Sequence, residues 1–468
     1  TNTHLVATSK YTYDSLNRLR SLEHGSTIDP RSIAFFDYEY DSASRITSIT
    51  DIDGRTDYQY DDRDQLTGAD RTADDVRGDE AYSYDANGNR ISSSLHSGGY
   101  VTGPGNRLLS DGTYNYAYDG EGNMIRRTSI ADGSYRVFVY DHRNRMTAVT
   151  DFSAAGTMTQ EVATTYDALG RRIAKTVDTN DTSPGGRVTT HFVYNGYDVL
   201  LDFIDADGSG SDQQPELTVR YLFGLGIDRI ISQEIIGTHQ VQWLLTDHLD
   251  TVRDIVSNAG VILSHFTYDS YGNVDSETPF LATTRYTFTG RELDAETNTY
   301  YYRARFLDAT IGRFISSDPI GPAMGDENTY RYSINQPLSR IDRFGLDSRD
   351  SSESLGGPPN FRDPEFWEPR GKEYPQTIDP FSPDNPDYRF IQEVINQVAD
   401  AMGLSLIAIA NTMLPNPMTP AVYAALSLKI YQLWSKYRND PKKLSKAIND
   451  VIREEREKAS RPDPPICR

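Results

Sequence analysis

The chain has a single cysteine in 468 residues, Cys467, beside the C-terminus. No disulfide framework and no cysteine zinc site can form within one copy. It has no apolar run of 18 residues, so no spanning helix is expected. Histidine is scarce and stops at His265, leaving the last two hundred residues without one. Complete His-dependent nuclease, zinc-deaminase and Cys-His protease sites are thereby excluded from the C-terminal part. Positive charge is also in deficit. The net charge is −21, with about −19 on residues 1–346 and about −2 beyond. Such an acidic surface repels phosphates, so no nucleic-acid contact is expected from the N-terminal part. No initiator Met or signal peptide opens the sequence, which reads as a fragment of something longer.

What the chain has in plenty is tyrosine, 31 residues against a hydrophobic content of only 37%. Eight tyrosines are followed directly by aspartate and then by a short turn: Tyr13-Asp14, Tyr40-Asp41, Tyr60-Asp61, Tyr84-Asp85, Tyr118-Asp119, Tyr140-Asp141, Tyr166-Asp167 and Tyr268-Asp269. A word recurring at a spacing of tens of residues marks a repeat architecture. In YTYDSLNRLRSL, Tyr11 and Tyr13 share one strand face, Ser15-Leu16-Asn17 turns, and Arg18-Leu19 begins the return strand. The aspartate is suited to an Asx turn, and the Asn or Gly that follows tolerates positive φ. Asp53-Gly54, Asp111-Gly112 and Asp132-Gly133 are hairpin signals at the opposite ends. The repeat therefore predicts a long antiparallel meander. Its tyrosines serve turns and cross-strand packing, or else form an aromatic ladder for a ligand. A β-propeller fits poorly, because its blades need more than 40 residues.

Four regions follow. Residues 1–285 carry the repeats, degenerate after 180, and residues 286–346 form a distinct module. Residues 347–387 are rich in Pro, Gly and acidic residues and read as a linker. Residues 388–468 read as helical. Ile391, Val394, Ile395, Val398 and Met402 keep a 3.6 period, and Thr419-Pro420 and Asp440-Pro441 look like helix starts. The predicted fold class is mainly β: a long antiparallel sheet of hairpin repeats spiralling toward a shell, then a small α-helical C-terminal domain. Wrapping such a cargo takes around 30 strands by the 4.8 Å strand spacing, so preceding repeats are expected to complete a container.

The module YTFTGRELDAETNTYYYRARFLDATIGRFISSDPIG, followed by ENTYRYSINQPLSRIDRFGL, resembles the RHS-repeat-associated core of bacterial RHS/YD-repeat proteins. The words Tyr-Arg-Ala-Arg, Gly-Arg-Phe, Asp-Pro-Ile-Gly and Asn-Gln-Pro come in that family's order, and the Tyr-Asp words match its YD repeats. The resemblance covers residues 11–346. It implies a sheet closing into a hollow shell, with the core segment acting as an aspartyl autoprotease. That protease cuts after the second Asp-x-x-Gly-Leu and frees a variable C-terminal effector, in bacterial competition or toxin delivery. It also implies a secreted or envelope-associated protein. The implied partners are the protein's own C-terminal segment as cargo, a companion shell or secretion component, and an immunity protein. No cofactor and no metal are called for.

The residues themselves suit that chemistry. Asp318 and Asp342 open Asp318-Pro319-Ile320-Gly321 and Asp342-Arg343-Phe344-Gly345. Two carboxylates in one site resist joint ionisation, so one serves as acid and the other as base. A tethered scissile bond needs only weak catalysis for a single turnover. The bond would be Leu346–Asp347, where composition changes abruptly. Arg303, Arg305 and Arg313 are candidates for holding the carboxylates or an oxyanion, or else for structural ion pairs. Asp-Pro-x-Gly is equally an ordinary turn word, and Arg343 stands where the family usually has Pro. The alternative reading is a structural or adhesive cell-surface protein with an inert carboxylate pair. For the tail, a carboxylate- or Lys/Arg-based enzyme, a binding bundle, or a membrane-active hairpin over Ala401–Ala410 and Ala421–Trp434 stay open.

Overall fold

The computed structural model describes residues 7–350, apart from 27–31, 73–76, 97, 181–185, 207–214, 279, 322–325 and 347–348. Two compact units divide the chain, Thr1–Phe366 and Trp367–Arg468, and every described residue belongs to the first. Eight strands, from Ala7–Tyr13 to Arg90–Ser93, form one sheet in strict sequence order. Sixteen more, from Val101–Thr102 to Val274–Glu277, form a second, again each beside its predecessor. All pairings are antiparallel, so the meander reading holds. A four-stranded sheet follows, from Glu292–Asp294 to Arg313–Phe314. Last comes a short ladder in which Arg349–Asp350 returns alongside Arg340–Ile341.

Each Tyr-Asp word makes the same joint. Asp14 Oδ1 accepts the N–H of Leu16 and of Arg18, both at 2.9 Å, while Oδ2 accepts Arg18 Nε at 2.7 Å. The same clamp recurs at Asp41, Asp61, Asp85, Asp119 and Asp269. The residue before the return strand then sits at positive φ, as at Asn17 (62°), Asn144 (59°) and Gly122 (92°). The tyrosine hydroxyl donates to the carbonyl of the residue that opens the preceding strand: Tyr40 to Leu19, Tyr60 to Ile46, Tyr166 to Met146 and Tyr268 to Val252, at 2.7–2.8 Å. Arg18, Arg45 and Arg145 stack over the next tyrosine ring, with centroid distances of 4.6, 5.1 and 4.7 Å. The tyrosines are thus spent on joining turn to turn. The strand register also shifts by one residue at each of these tyrosines, a bulge that sharpens the local twist.

The four-stranded module is buried on both faces. Tyr300 and Tyr302 pack into a cluster with Leu66, Tyr82, Tyr221 and Val252. Tyr301, between them, points the other way, into a cluster with Leu108, Phe138 and Val162. Alternate side chains of one strand thereby join both large sheets.

One expectation is corrected. The fold class was to be β followed by a small α-helical domain, but the described chain is all-β and contains no α-helix. Its helical turns are single 3-10 turns, such as Pro104–Asn106 and Phe288–Gly290. The helix expectation rested on periodicity and proline caps alone, local signals that are a weak prior without a packed partner. The segment that carried it, residues 388–468, and the linker 347–387 past Asp350, lie outside the described residues.

Candidate functional site

The structure brings Asp318 and Asp342 together on one guanidinium. Arg305 Nη2 lies 2.9 Å from Asp318 Oδ2 and 3.1 Å from Asp342 Oδ2. Arg305 begins strand Arg305–Asp308, with its guanidinium 3.7 Å over the Phe314 ring. Its other nitrogens are occupied as well: Nε donates to Gly345 O at 2.5 Å and Nη1 to Thr329 O at 2.9 Å. Burial pushes this guanidinium below its ordinary value, while Asp342 and Asp318 oppose that shift. Asp342 is 2% exposed.

Both aspartates sit in turns, as their sequence words predict. Asp318 Oδ1 accepts the Ile320 N–H at 3.0 Å, and Gly321 closes the turn at φ 67°. Asp342 Oδ1 accepts the N–H of Leu346 at 3.0 Å, so this carboxylate spans from the arginine to the residue before the candidate scissile bond. Gly345, at φ 68°, passes so close to the carbonyl of Tyr302 that a Cβ there would collide with it. Its carbonyl is the one Arg305 holds. Asp347 lies outside the described residues.

The three arginines named from sequence part company here. Arg305 alone among them reaches the aspartate pair. Arg303 instead grips Asp228, at 2.7 and 2.9 Å, together with the carbonyl of Arg343. Arg313 donates to Asn106 O at 2.6 Å and stacks 4.9 Å from the Tyr330 centroid. These partners of Arg303 and Arg313 fit the structural role that the sequence left open beside the catalytic one. Three arginines within eleven residues look alike in sequence, and only the strand alternation and the turn at Arg303 (φ 59°) separate them.

Sequence reasoning missed Asp228 and Asp250. Burial alone would raise the Asp228 carboxyl, but the guanidiniums of Arg291 and Arg303 outweigh it and hold it below its ordinary value. Asp250 pairs with Arg343 Nη2 at 2.7 Å, while Arg343 Nη1 donates to Ile227 O at 2.8 Å. Where the family has a proline, this chain thus pins its turn by an ion pair. Asp250 follows Thr246-Asp247, whose aspartate makes the usual clamp. A search for that clamp rather than for Tyr-Asp would have found the word.

Comparison with known proteins adds the context. The family model of the teneurin YD-shell matches residues 2–198. Double-stranded DNA deaminase toxin A of Burkholderia cenocepacia is 28% identical over 362 residues, which cover 72% of this chain and 24% of that protein. Toxin protein Tse5 of Pseudomonas aeruginosa is 28% identical over 363 residues, covering 72% and 27%. The tRNA nuclease WapA of Bacillus subtilis is 28% identical over 389 residues, covering 72% and 16%. The chain therefore spans roughly a quarter or less of these relatives' own length. Among solved structures, the Photorhabdus luminescens Tc holotoxin pore matches with a TM-score of 0.58 at 20% identity, covering 74% of this chain and 18% of that one. A TcdB2-TccC3-Cdc42 structure matches at 0.57 and 20%, covering 73% and 18%, so the fold is shared. Likeness to these relatives supports a secreted or cell-surface location. Repeat clamp, family match and relatives agree: the chain is similar to YD-shell and RHS/WapA-type repeat proteins.

Proposed function

We propose that residues 286–346 cut their own chain between Leu346 and Asp347, and that the YD-repeat sheet is part of a delivery shell from which the C-terminal segment is thereby released. The observation that carries this reading is the meeting of Asp318 and Asp342 on Arg305, with Asp342 also holding the Leu346 N–H. In the proposed step, one carboxylate takes a proton from water as its oxygen attacks the Leu346 carbonyl. The other carboxyl protonates the departing amine of Asp347. The products are a carboxylate on Leu346 and a free amine on Asp347. Arg305 offsets the charge of whichever carboxylate is ionised, and fixing Gly345 O keeps the scissile segment in place. The released segment is the cargo. The pairing of TccC3 with TcdB2 in solved relatives supports a companion shell component, and a toxic cargo calls for an immunity partner.

Mass spectrometry of the purified chain tests this. Two fragments divided at Leu346 are expected, and one uncut chain from each of Asp318→Asn and Asp342→Asn. Cleavage continuing unchanged in both variants rules the mechanism out. A second reading has one observation in its favour. A guanidinium between two carboxylates is also a self-sufficient structural triad, which suits an adhesive surface protein with no protease activity. An intact mass for the unaltered chain selects it.

A further inference from the structure

Arg90 opens strand Arg90–Ser93 and is 5% exposed. Its guanidinium lies between two aromatic rings, 4.5 Å from the centroid of Tyr82 and 4.4 Å from that of Tyr271. Neither Nη1 nor Nη2 has a hydrogen-bond partner. The nearby hydroxyls of Tyr271 and Tyr100 bond to Tyr84 at 2.7 Å and to His96 at 2.8 Å; both also stand beside the guanidinium, but as neutral groups they do not balance its charge. Arg313, 7% exposed, has a buried Nε that is likewise without a partner. Among the described residues, neither arginine pairs with a carboxylate.

Both arginines line one small cavity. The other polar groups around it do not supply the missing negative charge. Arg331 is a third cation, already paired with Asp326 at 2.7 Å. The Asn328 and Asn335 amides donate to Asn87 O, Asn89 Oδ1, Gln65 Oε1 and Gly88 O, and so turn their donors away. A guanidinium cannot escape burial by losing its proton, and an uncompensated buried charge is strongly unfavourable. No described residue pairs with either guanidinium to supply the counter-charge.

The space decides what it can be. The cavity leaves about 10 Å³ of room for the centre of a water-sized particle, which suits a single small ion rather than a polyatomic one. Two glycines make that room. A Cβ on Gly312 (φ 64°) would run into Arg90 Nη2, and one on Gly88 (φ 73°) into Arg331 Nη1. We infer that this cavity is a binding site for one monatomic anion of the chloride class, held between Arg90 and Arg313. Its walls come from the repeat (Gly88, Arg90) and from the core segment (Gly312, Arg313, Arg331), so the ion fastens one to the other. This stands apart from the carboxylate pair and does not depend on cleavage.

The test uses the full chain freed of halide. Crystals soaked in sodium bromide are expected to show anomalous density between Arg90 and Arg313. In solution, sodium chloride or bromide should raise the melting temperature by roughly 2–4 °C over sodium isethionate at equal ionic strength, since isethionate is too large to enter. Arg90→Met should abolish that difference. The first two measurements need no variant, so a misfolded Arg90→Met leaves the test intact. An ordered water with no bromide at the cavity, or the same melting curve in the two salts, overturns the inference.

Discussion

Single side chains set the pH behaviour of the joint between the two large sheets. His265 lies in the second sheet, with Nδ1 2.7 Å from Asp254 Oδ1 and Nε2 3.0 Å from Asp53 Oδ1, across in the first. Burial opposes its charge, but hydrogen bonds to Asp254 and Asp53 outweigh it and lift His265 from 6.5 to about 9. A raised value means the folded state holds the proton more tightly. The stabilisation is fully present below about 6.5 and is lost as pH rises through 9. It amounts to roughly 2–3 kcal/mol. Asp269 acts in the same sense: burial, then the Glu80 carboxylate, push it up to about 7, and its contribution is lost as pH rises from its ordinary value through that point. Denaturant midpoints are therefore expected to fall between pH 6 and pH 10, with His265→Gln flattening the upper part of the curve. An unchanged slope in that variant would remove His265 from the account. At the candidate site, Arg305→Met strands two neighbouring aspartates and should cost about 3–5 kcal/mol by the same measurement. The sequence made the two aspartates and the arginines visible as types at a spacing. It could not assign Arg305 to the pair and Arg303 to Asp228, because that assignment depends on which face each residue takes in the fold.

For the element, the unit of account is the clamped turn. Asp41→Ala removes the acceptor for the N–H groups of Ala43 and Arg45, and the partner of Arg45 Nε. It should destabilise by about 1–3 kcal/mol. Tyr60→Phe loses one hydroxyl bond to Ile46 O and should cost about 1 kcal/mol. Glycines in the turns are not equivalent. Gly170 (φ 82°) has open space where a Cβ would go, while at Gly122 (φ 92°) a Cβ would stand 2.6 Å from the Tyr330 hydroxyl. Both alanine variants carry the positive-φ strain of about 1 kcal/mol, and Gly122→Ala adds a clash with the core segment. Parallel chemical denaturation of the two should show Gly122→Ala clearly the weaker. Equal losses would mean that Tyr330 moves aside freely. Turns of this kind were legible because aspartate, asparagine and glycine are there for stated backbone reasons. The later joints were not. At Tyr194, Phe223 and Thr246 the register shifts as it does at the Tyr-Asp words, yet the letters differ. The conserved feature there is a backbone shape that several side chains satisfy. In the C-terminal stretch, periodicity and caps speak for helices, and those residues lie outside the described ones.

Across the described molecule, the core segment is the common partner of both sheets. One apolar cluster takes residues from the first sheet (Leu66, Tyr82), the second (Tyr221, Ile255) and the module (Tyr300, Tyr332). A buried ion network backs it, with Arg172 fully enclosed between Glu292 and Asp294 at 2.8 and 2.5 Å. Residues 7–346 should therefore lose structure in one cooperative step. Hydrogen exchange is expected to protect strand Thr299–Tyr302 as well as any repeat strand. Early exchange there would instead describe a plug that comes and goes. The recurring joint also has a consequence for how such a chain can change in length. Every hairpin brings one bulge, one clamp and two antiparallel strands, so adding or deleting a whole hairpin returns the chain to the same heading and the same inside-outside parity. A single added strand would reverse both. Repeat number is thus free to vary in steps of two strands while the core segment still meets the tyrosine faces it needs, which makes capacity a property that can be adjusted without redesigning the lock.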